Sequence, residues 1–112
     1  MYTINDKQYP CSTSVTMGLI GGKWKSVILI YLVEKPLRYN EIRKKIPTAT
    51  ERTLSLQLKG LEEDGLIKRT VYTIKPPLKV EYELTDFGKN LIPLLHSIAE
   101  WGIVAIAQYQ KA

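Results

Sequence analysis

Cysteine and histidine are almost missing from this chain: its 112 residues contain one of each, Cys11 and His96. A single thiol rules out an intrachain disulfide, and a reducing cytoplasm is the compartment such usage leads us to expect. One histidine among scattered carboxylates supplies neither a metal ligand set nor a nucleophilic triad. No catalytic residues, no metal site and no cofactor are therefore expected, and an enzyme is the weakest functional class. His96 has apolar neighbours in the sequence and reads as a surface or interface residue. Long apolar runs are absent too. Nothing approaches the ~18 residues of a membrane helix, and the opening MYTINDKQYP is too polar for a signal peptide, so no membrane partner is expected. There is no low-complexity tract and no internal repeat.

What is present is a chain of one-domain length, 1–112, with a hydrophobic fraction of 45%. A domain of this size buries only roughly two-thirds of its unfolded surface, so a subunit interface would add useful burial. Sixteen Lys and Arg against eleven Asp and Glu give a net charge of +5. Residues 1–47 carry eight basic and three acidic side chains, whereas 48–84 carry six and six and 85–112 two and two. The excess sits on Lys23, Lys25, Lys35, Arg38, Arg43, Lys44 and Lys45. Such a cluster is either a solvated helix face or a flank that contacts phosphates.

Along the chain, residues 12–20 predict a short helix with Val15, Leu19 and Ile20 apolar, stopped by Gly21-Gly22. From Lys23, the residues Trp24, Val27, Ile28, Tyr31 and Leu32 recur at helical spacing and mark a buried stripe closed by Pro36. A third helix, about 38–46, buries Tyr39, Ile42 and Ile46 and ends at Pro47. A fourth, about 50–64, starts at Thr50 as N-cap and stops at Gly65 as C′, with Leu54, Leu58 and Leu61 on one face. Periodicity then changes from helical to alternating. Strands are predicted over 66–74 and 79–85, and Val80, Tyr82 and Leu84 alternate with Glu81 and Glu83. Pro76-Pro77 suits an exposed hairpin tip. The last helix, about 86–109, carries Leu91, Leu94, Leu95, Ile98, Trp101, Ala105 and Tyr109, with a kink or late start expected at Pro93.

Helix, tight stop, charged hairpin (about 66–85) and helix in this order describe a mainly α fold with a β-hairpin wing: a winged helix-turn-helix. That fold presents one helix to the DNA major groove and lays the hairpin beside it. With the three leucines of 50–64 facing inward, Arg52, Ser55, Leu56, Lys59 and Glu63 face outward and Thr53 lies on the flank. Arg52 is the best base reader, because its fork matches guanine O6 and N7. Thr50, Thr53 and Ser55 offer hydroxyls for bases or phosphates. Leu56 is either a stray exposed leucine or a thymine-methyl contact. Lys75 and Lys79 bracket the wing tip, and Arg38 belongs to the basic flank; contacts there would be electrostatic. Cys11 precedes a helix, where the dipole favours a thiolate. It is either an idle thiol or a sensor. The apolar last helix predicts a homodimer through Leu94, Ile98, Trp101 and Ala105, aided by the first helix.

Several segments together resemble the HxlR family of bacterial regulators, a branch of the MarR-like winged-helix proteins. They are Cys11, Ile20-Gly21-Gly22-Lys23-Trp24-Lys25, Arg38-Tyr39-Asn40-Glu41-Ile42, Leu54, Leu58 and Leu61-Glu62-Glu63-Asp64-Gly65-Leu66. Pro76-Pro77, Val80-Glu81-Tyr82-Glu83-Leu84-Thr85, Gly88, Leu91 and Trp101-Gly102 complete the set. The resemblance covers about nine-tenths of the chain. It implies a transcription regulator that dimerises through its first and last helices on a pseudo-palindromic operator. In some members the N-terminal cysteine senses oxidants or electrophiles. The sequence departs from the pattern twice. Its wing, Lys75-Pro76-Pro77-Leu78-Lys79-Val80, is one residue longer than the common Pro-Pro-x-Val form, and Leu56 stands where the family is usually polar. The leading expectation is thus a dimeric repressor of double-stranded DNA, with Cys11 responding to a small oxidant or electrophile. The alternative is a winged-helix module that binds protein instead.

Overall fold

The computed structural model describes residues 1–111. Its first element lies outside the expected set. Strands β1 (Tyr2–Ile4) and β2 (Lys7–Tyr9) form an antiparallel hairpin in which Tyr2 faces Tyr9 and Ile4 faces Lys7. Asn5 and Asp6 turn the chain with φ of 51° and 64°. Asn and Asp are the non-glycine residues that best tolerate this region, and a two-residue loop with both φ positive matches the strand twist. Asn5-Asp6 is the local signal for this turn.

Helix α1 (Ser12–Ile20) has the predicted bounds. Helix α2 (Lys25–Tyr31) is shorter than expected at both ends. Gly22 takes φ +82° and the chain turns through Lys23 before Trp24 caps the helix. At the other end the chain leaves helical geometry after Leu32, well before Pro36, and runs on to Leu37. Leu37 donates its amide to the Tyr82 carbonyl (2.9 Å) and accepts from the Tyr82 amide (2.8 Å). This bridge joins residues far apart in sequence, which no local pattern encodes.

Helix α3 (Tyr39–Lys45) and helix α4 (Glu51–Glu63) follow as expected. Thr50 is the N-cap of α4: its Oγ1 accepts from the Thr53 amide at 3.1 Å. Leu54, Leu58 and Leu61 are buried and join Ile28, Leu29, Leu37, Ile42 and Leu66 in the core. Each such side chain contributes about 1.5–3 kcal/mol relative to exposure. Gly65 (φ +78°) ends the helix in the left-handed region that favours glycine.

Strands β3 (Ile67–Val71) and β4 (Val80–Leu84) make the wing, with Ile67 paired to Leu84 and Val71 to Val80. Regular pairing stops earlier than the sequence pattern suggests. The Tyr72 amide still donates to the Lys79 carbonyl, but beyond it the Thr73 hydroxyl takes over, accepting from the Lys79 amide and donating to the Pro77 carbonyl.

The C-terminal helix is two helices, α5 (Asp86–Lys89) and α6 (Ile92–Tyr109). The single run over about 86–109 is therefore corrected. Pro93 lies in the first turn of α6, where its missing amide costs nothing, so the late start prevails over a kink. Thr85 locks this junction. Its hydroxyl donates to the Gly65 carbonyl (2.6 Å) and accepts from the Gly88 amide (3.0 Å). Helix α6 packs on α2 and buries Leu95.

Candidate nucleic-acid interface

Two connections set the geometry. The Leu37–Tyr82 bridge fastens the wing to the start of α3, and the Tyr39 hydroxyl donates to the Glu51 carbonyl (3.3 Å), fastening α3 to the start of α4. Helix α4 then holds its leucine face inward and leaves Arg52, Ser55, Leu56 and Lys59 exposed, Leu56 by 55%. Thr53 is half-buried on the flank. Thr50 takes the N-cap place that the sequence predicts. Its hydroxyl caps the helix and also donates to Thr53 Oγ1 (2.8 Å), so it has no proton left to offer a base, while Thr53 keeps its own.

The basic cluster of the first half of the chain is not one surface. Lys23 lies over the Trp24 ring and Lys45 over the Tyr31 ring, at 4.9 and 5.2 Å from the centroids. Arg38 has a different setting: it lines a shallow trough with Asn40, Glu41, Lys79 and Glu81, so α3 and the wing present cations side by side. Its amide donates to Glu41 Oε1 at 2.9 Å, which ties that carboxylate to the helix start. Lys79 also lies 5.4 Å from the Tyr72 ring, and Lys75 is exposed nearer the tip. The Tyr72 phenol is held above its ordinary range by desolvation and by Glu81 and Glu83. It stays a neutral donor at physiological pH.

Cys11 stands apart from this surface, at the N-cap of α1, and is exposed. Its thiol is lowered below the usual cysteine range, first by the Ser14 amide and then by the Ser14 hydroxyl. The Ser14 hydroxyl accepts from the Cys11 amide (3.3 Å) and donates to the Cys11 carbonyl (2.7 Å).

The predicted dimer residues lie on α6. Leu94, Ile98 and Trp101 are exposed, Trp101 by 68%, and Ala105 is half-buried. Sequence spacing missed Ile103, Val104 and Ile106, which are exposed, as is Tyr109 at the end of the predicted stripe. His96 is exposed. Among the described residues no helix is long and apolar enough to cross a membrane.

Residues 19–110 match the family of HxlR-like helix-turn-helix proteins. The chain belongs to that family. An HTH-type transcriptional regulator of Methanothermobacter thermautotrophicus is 48% identical over 99 residues, covering 88% of this chain and 75% of its own. The HTH-type transcriptional regulator YdeP of Bacillus subtilis is 48% identical over 92 residues, covering 82% and 71%. Among solved structures, the redox regulator HypR in its reduced form gives a TM-score of 0.84 at 38% identity, over 91% of this chain and 100% of that one. The reduced transcriptional regulator YodB of B. subtilis gives 0.71 at 28% identity, over 92% and 97%. These relatives are transcription regulators rather than enzymes, and this HxlR-family chain shares their winged helix-turn-helix fold.

Proposed function

We propose that this HxlR-family protein is a homodimeric, sequence-specific DNA-binding regulator that represses from a pseudo-palindromic operator. The observation that carries the reading is the joint placement of α4 and the wing. One exposed helix face with Arg52, Ser55, Leu56 and Lys59 stands beside a hairpin that carries Lys75 and Lys79, with Arg38 between α3 and the wing. In this reading Arg52 reads a guanine, Thr53 and Ser55 reach bases or phosphates, and Leu56 meets a thymine methyl. Arg38, Lys59, Lys75 and Lys79 contact the backbone, and Thr50 acts through its cap. The uncovered apolar face of α6 supports a second copy, which would set two recognition helices about 34 Å apart. Cys11, exposed with a lowered pKa, is read as the sensor of an oxidant or electrophile. Two structural relatives support this: HypR is a redox regulator, and YodB has been solved with quinone bound.

The test begins with selection of bound fragments from genomic DNA, followed by mobility shift at two salt concentrations. Arg52→Ala is expected to cost about 1–3 kcal/mol on the selected site and to relax preference at one position of each half-site. Equal losses on selected and random DNA would make Arg52 a phosphate contact. Failure of the wild type to select or bind any fragment would favour a protein-binding module.

A further inference from the structure

Beyond its paired strands the wing turns apolar. The stretch Tyr72-Thr73-Ile74-Lys75-Pro76-Pro77-Leu78-Lys79 holds two cations and no carboxylate. Ile74 is 97% exposed, and Val71, Tyr72 and Leu78 are exposed too. A lone exposed isoleucine is ordinary. Here four large apolar side chains and two prolines gather at the free end of one hairpin, bracketed by lysines.

The tip is also built to leave water cheaply. The Thr73 hydroxyl accepts from the Lys79 amide (3.0 Å) and donates to the Pro77 carbonyl (3.3 Å), which closes the loop between them. Pro76 and Pro77 have no amide hydrogens to strand. Burying the loop therefore leaves little backbone polarity unmet. A loop closed in this way, with two fixed φ angles, loses little freedom when it is seated against a partner.

The wing is anchored to the body by the Leu37–Tyr82 bridge. Four residues of extended chain separate Tyr82 from Leu78, a reach of up to about 13 Å. Arg38 and Lys79 share one trough between anchor and tip. With that trough against phosphates, the tip is carried across the backbone to the adjoining minor groove, about 6 Å wide and about 7.5 Å deep. That groove has anionic rims and an interior of sugars and base edges. An apolar point between two lysines matches both, whereas an apolar protein groove would match the point alone.

We propose that the wing tip is an apolar wedge, with Ile74 and Leu78 seated in the minor groove beside each half-site and parting a base step there. The inference rests on the DNA-binding reading and adds an uncharged contact to the lysine contacts of the wing. Apolar side chains that enter the minor groove unstack and kink the duplex. Pyrimidine–purine steps yield most easily, so the wedge selects a deformable step without a hydrogen bond to its bases.

The experiment compares full-length wild type, Ile74→Ser, Leu78→Ser and Lys75→Gln on the selected site. A fluorescent adenine analogue placed at each flanking step reports unstacking, and affinity is measured against salt. The wild type is expected to raise fluorescence at one step per half-site. Ile74→Ser and Leu78→Ser should abolish the rise, weaken binding roughly tenfold each and keep the slope of log K against log salt. Lys75→Gln should keep the rise and flatten that slope by about 0.9. Both serine variants change exposed side chains outside the core, so the fold is not at stake. Wild-type binding with no rise at any flanking step, or serine variants that bind as tightly as the wild type, overturns the wedge alone. Serine variants that bind normally but lose repression in cells assign the tip to a protein partner instead. Absence of wild-type binding overturns the DNA-binding reading and the wedge with it.

Discussion

At the scale of single residues, Cys11 and Ser14 form the most chemically specific pair in the chain. The Ser14 amide and hydroxyl both favour the thiolate, so the folded thiol titrates below an ordinary cysteine. Below its folded pKa the sulfur is a poorly reactive thiol, and reactivity rises as pH passes upward through that value. Any stability that the shift contributes is present above the unfolded thiol's pKa and is lost as pH falls through the lower, folded one. Alkylation with iodoacetamide, followed by intact mass across pH, is expected to show a midpoint below that of a free cysteine. Ser14→Ala, which removes the hydroxyl and leaves the amide, should move the midpoint part of the way back up. An unshifted wild-type midpoint would leave Cys11 an ordinary surface thiol. The cap role of Thr50 also belongs to this scale: it is legible in the sequence, and the structure adds that the same hydroxyl is engaged with Thr53 Oγ1.

At the scale of elements, the junction after the wing depends on Thr85. Its hydroxyl joins the end of α4, through Gly65, to the first turn of α5, through Gly88. Thr85→Val keeps the shape and removes both hydrogen bonds, so a loss of about 1–3 kcal/mol is expected in urea unfolding, with an unchanged m-value. A variant as stable as the wild type would show that the packing of Leu84 and Leu66 is sufficient there. Most elements are legible in the sequence because their signals are local. The leucine spacing of α4, the glycine at its end and the alternation of Val80 to Leu84 each report a face or a stop within a few residues. Three things are not legible in that way. Pro93 announces a kink or a late start without choosing between them, and the separate short α5 appears only in the structure. The early end of α2 and the Leu37–Tyr82 bridge depend on a partner far along the chain. The splitting of the basic cluster, with Lys23 and Lys45 over aromatic rings and Arg38 beside Lys79, requires the folded neighbours of each cation. The N-terminal hairpin differs from these, since Asn5-Asp6 between two short strands is itself a local turn signal, only a faint one beside the helical periodicities that follow.

At the scale of the whole molecule, the protein is more extended than its length requires. Its radius of gyration is 15.7 Å, against roughly 13 Å for a compact chain of this size. Helix α6 accounts for much of the unmet apolar surface, with Leu94, Ile98, Trp101, Ile103, Val104 and Ile106 all exposed. So many large apolar side chains exposed on one helix mark an interaction surface rather than ordinary scatter. Light scattering at micromolar concentration is expected to give twice the 12.8 kDa of one chain. Trp101→Ala should weaken the dimer by about 2 kcal/mol or more, read as a rise in monomer on dilution. A wild-type mass of one chain would remove the basis for a two-fold operator.

The Leu37–Tyr82 pairing also limits how a signal at Cys11 could travel. The wing is hydrogen-bonded to the segment that starts α3, and α3 is held to α4, so under the proposed function the wing and the recognition helix would leave DNA together. Each protomer would then act as a two-pronged plug. A disturbance of the α1 region can retune the distance between two plugs, but it has no ready means of withdrawing a single prong. Under the proposed function, half-sites would then be gained and lost whole, and the response to a modified thiol would be a step rather than a gradual loosening of contacts.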